Sequence, residues 1–170
     1  MTFSFTLHLA AVVLAAFALW SMRHEITEQA TTRLNWALPV LLAVAVAVLL
    51  LIVSPGKRVE LWVLCIGGGL VIGLVAGAVQ TAIKDFSRNL VLVHRTWDGV
   101  GAAALLLLLA ATRLVSTDFM GRESHGFGVL GGAAMFVAMY LVGRLTTLLL
   151  YTAPRSIHLD MVEGEKRHRS

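Results

Sequence analysis

Five separate apolar runs, each about as long as a membrane crossing, dominate the sequence, and the charged residues lie almost entirely between them. A helix that crosses the hydrocarbon core of a bilayer needs about 20 apolar residues, within a range of about 17–25. The sequence therefore predicts an all-α, polytopic membrane protein, a bundle of five transmembrane helices. The predicted helices are Phe3–Met22, Trp36–Val53, Leu61–Ile83, Gly99–Ser116 and Phe127–Tyr151.

The composition fits a membrane location and leaves no room for a second folded domain. Apolar residues make up 58% of the chain and charged residues 14%, whereas soluble domains carry about 25% charged residues. The net charge of +4 comes from basic residues beside helix ends rather than from a dense basic face, so nucleic-acid binding is not expected. We divide the chain into a five-helix transmembrane domain, residues 1–153, and a basic cytoplasmic tail, residues 154–170.

The distribution of Lys and Arg predicts the orientation, because cytoplasmic loops carry the excess of these residues. If the N-terminus is outside, nine Lys and Arg residues fall on the cytoplasmic side and three or four fall outside, with Arg113 at the membrane edge. The opposite orientation reverses this ratio. We therefore predict an N-out, C-in protein of a bacterial inner membrane. The nine residues are Arg23, Arg33, Lys84, Arg88, Arg95, Arg155, Lys166, Arg167 and Arg169.

The cytoplasmic connection Lys84–Asp98 is long enough to hold structure of its own. It contains the short run Asn89–His94, which is rich in Leu and Val. Short runs with β-branched residues favour strands. A small β-hairpin at the cytoplasmic surface and an irregular loop both fit this segment.

Glycines recur at every fourth residue in the third predicted helix, at Gly69, Gly73 and Gly77. Overlapping G-x-x-x-G units of this kind let the backbone of another helix approach closely. Gly128 and Gly132 give the fifth helix a similar face. We expect the third helix to be the most central one. Its glycine face fits packing within the chain, the seam of a homodimer, or a flat cofactor.

Three polar residues, Gln80, Asp98 and Arg144, are predicted to lie near the cytoplasmic ends of their helices. An Arg at the bilayer centre costs about 2.5–3.5 kcal/mol on insertion scales, and Arg144 lies about 10 Å before the predicted end of its helix. Three interpretations fit: it extends to the headgroups, it pairs with Asp98, or it forms a substrate site with Gln80. Arg113, on the other side, is expected to extend to the outer headgroups.

Catalytic and metal-binding patterns are missing from the sequence. Cys65 is the single cysteine, which excludes an internal disulfide, a C-x-x-C redox pair and a cysteine-based zinc site. There is neither an H-E-x-x-H nor a G-x-S-x-G motif, no Asp or Glu lies deep within a predicted helix, and the six histidines do not cluster. We assign no catalytic, cofactor-binding or metal-binding residue.

The stretch Leu64–Arg155 has a recognisable order of features. A helix with Gly73-x-x-x-Gly77 is followed by a short polar segment with β-branched residues, an apolar helix that closes on Arg113, and a last helix with Arg144 inside it. In these features the chain resembles the CcdC-like family of small bacterial membrane proteins, which is associated with cytochrome c biogenesis. The resemblance covers a little over half of the chain and implies no catalytic residues, since the family has none established.

Three functional hypotheses follow. The first is an integral membrane protein without catalysis, an accessory or assembly component of a membrane complex; a link to cytochrome maturation would be indirect, because C-x-x-C is missing. The second is a small transporter or channel with a path lined by Gln80, Asp98 and Arg144. The third is a protein that binds or modifies lipid headgroups through Arg144. The expected partners are the bilayer and either a larger membrane complex or a second copy of the chain.

Overall fold

The computed structural model describes residues 2–23, 33–53, 59–81, 97–119 and 127–152, and it forms five helices from them. Each helix begins and ends within three residues of its predicted bounds, so the all-α prediction is confirmed for the described residues. We number the helices α1 to α5. They are Thr2–Ser21, Arg33–Ile52, Val59–Thr81, Asp98–Leu114 and Phe127–Thr152.

Four of the five helices are long and apolar enough to cross a membrane, namely α1, α3, α4 and α5. The backbone continues beyond α4 as a short π-helical segment, Val115–Phe119. The apolar part of α2 is shorter and covers Trp36–Ile52, which corresponds to about 25 Å of helix. This length is a few ångströms less than a hydrocarbon core of about 30 Å.

Consecutive helices run in opposite directions. Trp36, near the start of α2, packs against Leu148, near the end of α5, and Met22, which follows α1, lines the same cavity as these two residues. At the other end of the bundle, Arg113 near the end of α4 donates a hydrogen bond to the carbonyl of Val53 at the end of α2. The first and last described residues therefore lie at opposite ends of the bundle.

The helix with the most extensive contacts is α5, which packs against α2, α3 and α4, whereas α3 packs extensively against α5 alone. The helices α1, α2, α4 and α5 surround a core built mainly of Ala, Val and Leu. The expectation that the third helix would be the most central one is wrong. A glycine face lets one neighbour approach closely, but it does not supply neighbours on the other sides of the helix. Most of the circumference of α3 therefore presents apolar side chains outward.

The glycines of α3 form its seam with α5. Gly69, Gly73 and Gly77 are the buried residues of α3, among those whose side chains the structure describes. A methyl group added at Gly73 would overlap the carbonyl oxygen of Tyr140, and one added at Gly77 would lie 2.8 Å from the Cβ of Thr147. The two backbones are thus in contact, and dispersion between them holds the pair together.

Small residues of α5 complete this seam. A methyl group added at Gly143 would lie 2.9 Å from the backbone nitrogen of Leu74, and one at Gly132 would lie 3.3 Å from the sulfur of Cys65. Gly128 is also buried. These faces are occupied within the chain, so a homodimer built on them would require α3 and α5 to separate.

Two of the predictions concern residues outside the described ranges. Of the segment Lys84–Asp98, in which a hairpin is proposed, residues 84–96 lie outside the described ranges, and so does the basic tail, residues 154–170. The described part of the connection is Trp97, and Asp98 begins α4.

Candidate functional site

Arg144 lies on α5, in its last third, and its side chain is 2% exposed. Its Nε donates a hydrogen bond to Oε1 of Gln80 at 2.9 Å. The side chain therefore does not extend to the headgroup layer, which was one of the three interpretations of the sequence. A guanidinium stays charged in proteins, and its burial is tolerated because polar groups of the neighbouring helix approach it.

Gln80 connects Arg144 to a carboxylate on a third helix. Its Oε1 accepts from Arg144, and its Nε2 donates to Oδ2 of Asp98. An amide offers both an acceptor and a donor, so a single glutamine links a cation to an anion that do not touch each other. The structure thus joins the three residues of the candidate polar cluster in one hydrogen-bonded chain. We call it the Arg144–Gln80–Asp98 chain.

Asp98 is the exposed member of this chain and lies in the first turn of α4. The N-terminus of a helix carries partial positive charge, so a carboxylate is favourable at this position. Asp98 and Arg144 interact through Gln80 rather than as a direct ion pair in the geometry of this structure. The chain ties α3, α4 and α5 together at the end of the bundle at which α5 terminates.

A buried threonine supports the seam next to Arg144. Thr147 is 5% exposed, and its hydroxyl donates to two carbonyl oxygens, those of Leu74 on α3 and Gly143 on α5, each at 3.1 Å. The single hydroxyl proton is shared between a carbonyl of its own helix, four residues earlier, and a carbonyl of α3 across the seam. Hydrogen bonds of this kind between membrane helices contribute about 0.6 kcal/mol on average.

A small cleft, which is partly open to the surroundings, lies on the other side of Arg144. It is apolar apart from this residue, and α1, α2 and α5 supply its walls. The lining residues are Met22, Trp36, Pro39, Val40, Leu141, Arg144, Leu145 and Leu148.

Arg113 forms a second buried cationic site at the opposite end of the bundle. Its side chain is 2% exposed, and its Nη2 donates to the carbonyl oxygen of Val53 at 2.9 Å. The expectation that it extends to the outer headgroups is therefore wrong. The last carbonyls of a helix have no partner within the helix and carry partial negative charge, so Arg113 stabilises the end of α2 inside the protein.

His8 is a further buried polar residue, and its burial was not predicted from the sequence. It is 1% exposed and lies on the face of α1 that is otherwise formed by small residues, such as Ala11 and Ala15. Its spacing from these alanines, three and seven residues, is the pattern of a buried helix face and is the signal that could have placed it. Among the described residues, no group of three or more His, Cys, Asp or Glu is arranged to hold a metal ion.

The Arg144–Gln80–Asp98 chain places a guanidinium, an amide and a carboxylate in one hydrogen-bonded series. Comparisons of the chain with models of protein families, with curated proteins and with solved structures find no match.

Proposed function

We propose that this chain is a non-catalytic integral membrane protein that acts as an accessory or assembly component of a membrane complex. In this proposal all five helices cross the bilayer, the N-terminus is outside and the Arg144–Gln80–Asp98 chain lies at the cytoplasmic side. The membrane is a bacterial inner membrane. Cytochrome maturation is the context that the resemblance to the CcdC-like family suggests.

The observation that carries the proposal is how the polar groups at membrane depth are used. Arg144, Gln80 and Thr147 connect helices to each other, and Arg113 bonds the end of α2. These contacts hold the bundle together. A transporter needs polar groups that face a water-filled path, whereas these side chains lie in helix contacts.

The outward surface supports a role in association. Large apolar side chains on α3 point away from the bundle, with Leu64 72% exposed and Val63 62% exposed. In a membrane such a surface contacts either lipid or the transmembrane helices of another protein. A chain whose internal contacts use its polar residues and whose outer surface is apolar fits a subunit that other membrane helices surround.

Crossing by α2 is supported by its contacts at both ends. Trp36 packs at the end of the bundle that holds Arg144, and Val53 receives a hydrogen bond at the other end. The hydrophobic length that α2 lacks is small. A bilayer accommodates such a mismatch by thinning, or residues that flank the helix extend to the headgroups, at a cost of fractions of a kcal/mol per ångström. Arg113 of α4 also bonds the last turn of α2 within the bundle.

The test is to isolate the tagged full-length chain from its native membrane in a mild detergent and to quantify the co-purifying proteins by mass spectrometry. A photo-reactive amino acid placed at Leu64 on α3, or at Leu108 on α4, is compared with one at buried Ala138. We expect a defined membrane protein in stoichiometric amounts and discrete cross-links from at least one outward position. Recovery of the chain with lipid adducts alone at both outward positions would contradict the proposal.

Binding of lipid headgroups through Arg144 is the second candidate function. It is favoured by the partly open cleft beside this residue, in which Arg144 is the charged lining residue among apolar ones. If this function applies, Arg144→Leu should abolish binding of a short-chain anionic lipid by the purified protein, as measured by titration calorimetry. Unchanged binding would remove this candidate.

A further inference from the structure

An apolar stripe runs along the outward face of α1. Five large side chains on this face are exposed to between 38% and 62%. They are separated by four, four, four and three residues, which keeps them on one side of a helix. The opposite side of α1 is buried in the core of the bundle. The stripe consists of Phe5, Leu9, Val13, Phe17 and Trp20.

A cation lies at the end of this stripe. The guanidinium carbon of Arg23 lies 4.4 Å from the centre of the Trp20 ring, and both side chains are exposed. A guanidinium that stacks on a ring uses its face for this contact, while its five N–H donors lie in its plane. The fork geometry of these donors matches the oxygens of a phosphate.

The dimensions of the stripe fit one lipid leaflet. The rise from Leu9 to Trp20 is about 16 Å at 1.5 Å per residue, which is close to half of a hydrocarbon core of about 30 Å. Indole rings prefer the headgroup layer, so Trp20 marks the boundary of the core and Arg23 lies at the level of the phosphates.

The side chains of the stripe favour an acyl chain over a partner helix. The closest helix pairs in membranes use small residues at the contact, as α3 and α5 show. The five positions of the stripe carry three aromatic rings, a Leu and a Val, which form an uneven surface. A flexible acyl chain fits such a surface without the loss of contact that a rigid helix would suffer.

We propose that this surface binds an anionic phospholipid, with its phosphate on Arg23 and an acyl chain along the stripe from Trp20 towards Leu9. Arg23 provides the preference for net negative charge, and the stripe provides binding that is common to all phospholipids. The site depends neither on Arg144 nor on the role of the chain in a membrane complex. In the N-out orientation the lipid belongs to the cytoplasmic leaflet.

The experiment is a lipid titration of the delipidated, full-length protein in mild detergent. Phosphatidylglycerol and phosphatidylcholine with identical acyl chains are compared, and bound lipid is measured by native mass spectrometry together with the rise in Tm. We expect tighter binding of phosphatidylglycerol. Arg23→Gln should weaken this binding about fivefold, as expected for one basic residue near an anionic surface, and should leave binding of phosphatidylcholine unchanged. Trp20→Leu keeps an apolar side chain but removes the ring under Arg23, so it should weaken the preference as well.

Arg122→Gln is the matched control, since it removes the same charge from the connection before α5. It should bind both lipids as the original protein does. Equal affinities of the original protein for the two lipids would overturn the proposal, and so would an unchanged preference in Arg23→Gln. A Tm rise of the same size with inorganic phosphate alone would assign the site to a soluble anion and would overturn the lipid as its occupant.

A variant that fails to fold is recognised by its loss of phosphatidylcholine binding. In that case Arg23→Lys, which keeps the charge but not the planar fork, replaces it and should bind phosphatidylglycerol with intermediate affinity. Affinity equal to that of the original protein would assign the preference to charge alone and would overturn the role of the stacked guanidinium. Dimerisation of the lipid-free protein that is lost in Trp20→Leu would instead assign the stripe to a second copy.

Discussion

A single methyl group added at Gly73 should push α3 away from α5 and destabilise the contact between them. The new Cβ would lie 2.8 Å from the carbonyl carbon of Tyr140 and 2.9 Å from its Cα, whereas ordinary contacts begin near 3.4 Å. These are backbone atoms of a helix, so no side-chain rotation relieves the overlap. The helices would have to move apart by more than about half an ångström along this contact.

The cost follows from the extent of the seam. Adding a methyl group to a tightly packed contact costs about 1–3 kcal/mol, and the same displacement weakens the contacts of Gly69 and Gly77. Because α3 packs extensively against α5 alone, no other helix compensates for this loss. We expect Gly73→Ala to lower the free energy of unfolding by about 2–3 kcal/mol, as measured by titration with SDS in mixed micelles.

Gly67→Ala is the matched control in the same helix. A methyl group at this position meets no atom within 4 Å, and Ala favours a helix more than Gly does by about 1 kcal/mol in water. Gly67→Ala should therefore leave the stability unchanged or raise it. Equal free energies of unfolding for the two variants would refute the seam.

Two further predictions concern the buried cations and use the same unfolding measurement. Gln80→Leu removes the acceptor of Arg144 and the donor to Asp98, and should cost about 1–3 kcal/mol. Gln80→Glu keeps an acceptor for Arg144 but places a second carboxylate beside Asp98, so Asp98→Asn should stabilise the Gln80→Glu variant relative to its effect on the original protein; additive effects of the two changes would argue against the Arg144–Gln80–Asp98 chain. Arg113→Met should cost about 1–3 kcal/mol, because the carbonyl of Val53 loses a charge-assisted partner. Arg113→Lys should lose less, and a Met variant as stable as the original protein would show that this contact contributes nothing.

The helices could be predicted from the sequence because charge marks their ends. Charged residues separate the apolar runs. Because each run is long, there is little choice in where its helix begins and ends. The close approach of a helix to Gly69, Gly73 and Gly77 could also be predicted, since glycines at this spacing leave one side of a helix without side chains, and a neighbouring backbone fills that space. The grouping of Gln80, Asp98 and Arg144 depends on counting residues from the helix ends, and the structure places the three in hydrogen-bonding contact.

The arrangement of the helices around each other could not be predicted in the same way. In a membrane, a face that contacts lipid is as apolar as one that contacts protein, so the apolar character of a helix face does not tell whether it lies outward, as in α3, or inward. For this reason the glycines did not reveal that α3 has one neighbour. Arg113 is ambiguous for a related reason, because an Arg near a helix end serves a headgroup or a carbonyl equally well.

The most direct test of the account concerns the number of crossings, which depends on α2 and its short apolar stretch. Reporter fusions at each terminus of the full chain, one active outside the membrane and one active in the cytoplasm, measure the side on which each end lies. We expect an N-terminus outside and a C-terminus in the cytoplasm, as five crossings require. Both termini in one compartment would mean an even number of crossings. This result would contradict a bundle in which α2 crosses the membrane antiparallel to α1 and the Arg144–Gln80–Asp98 chain lies on the cytoplasmic side.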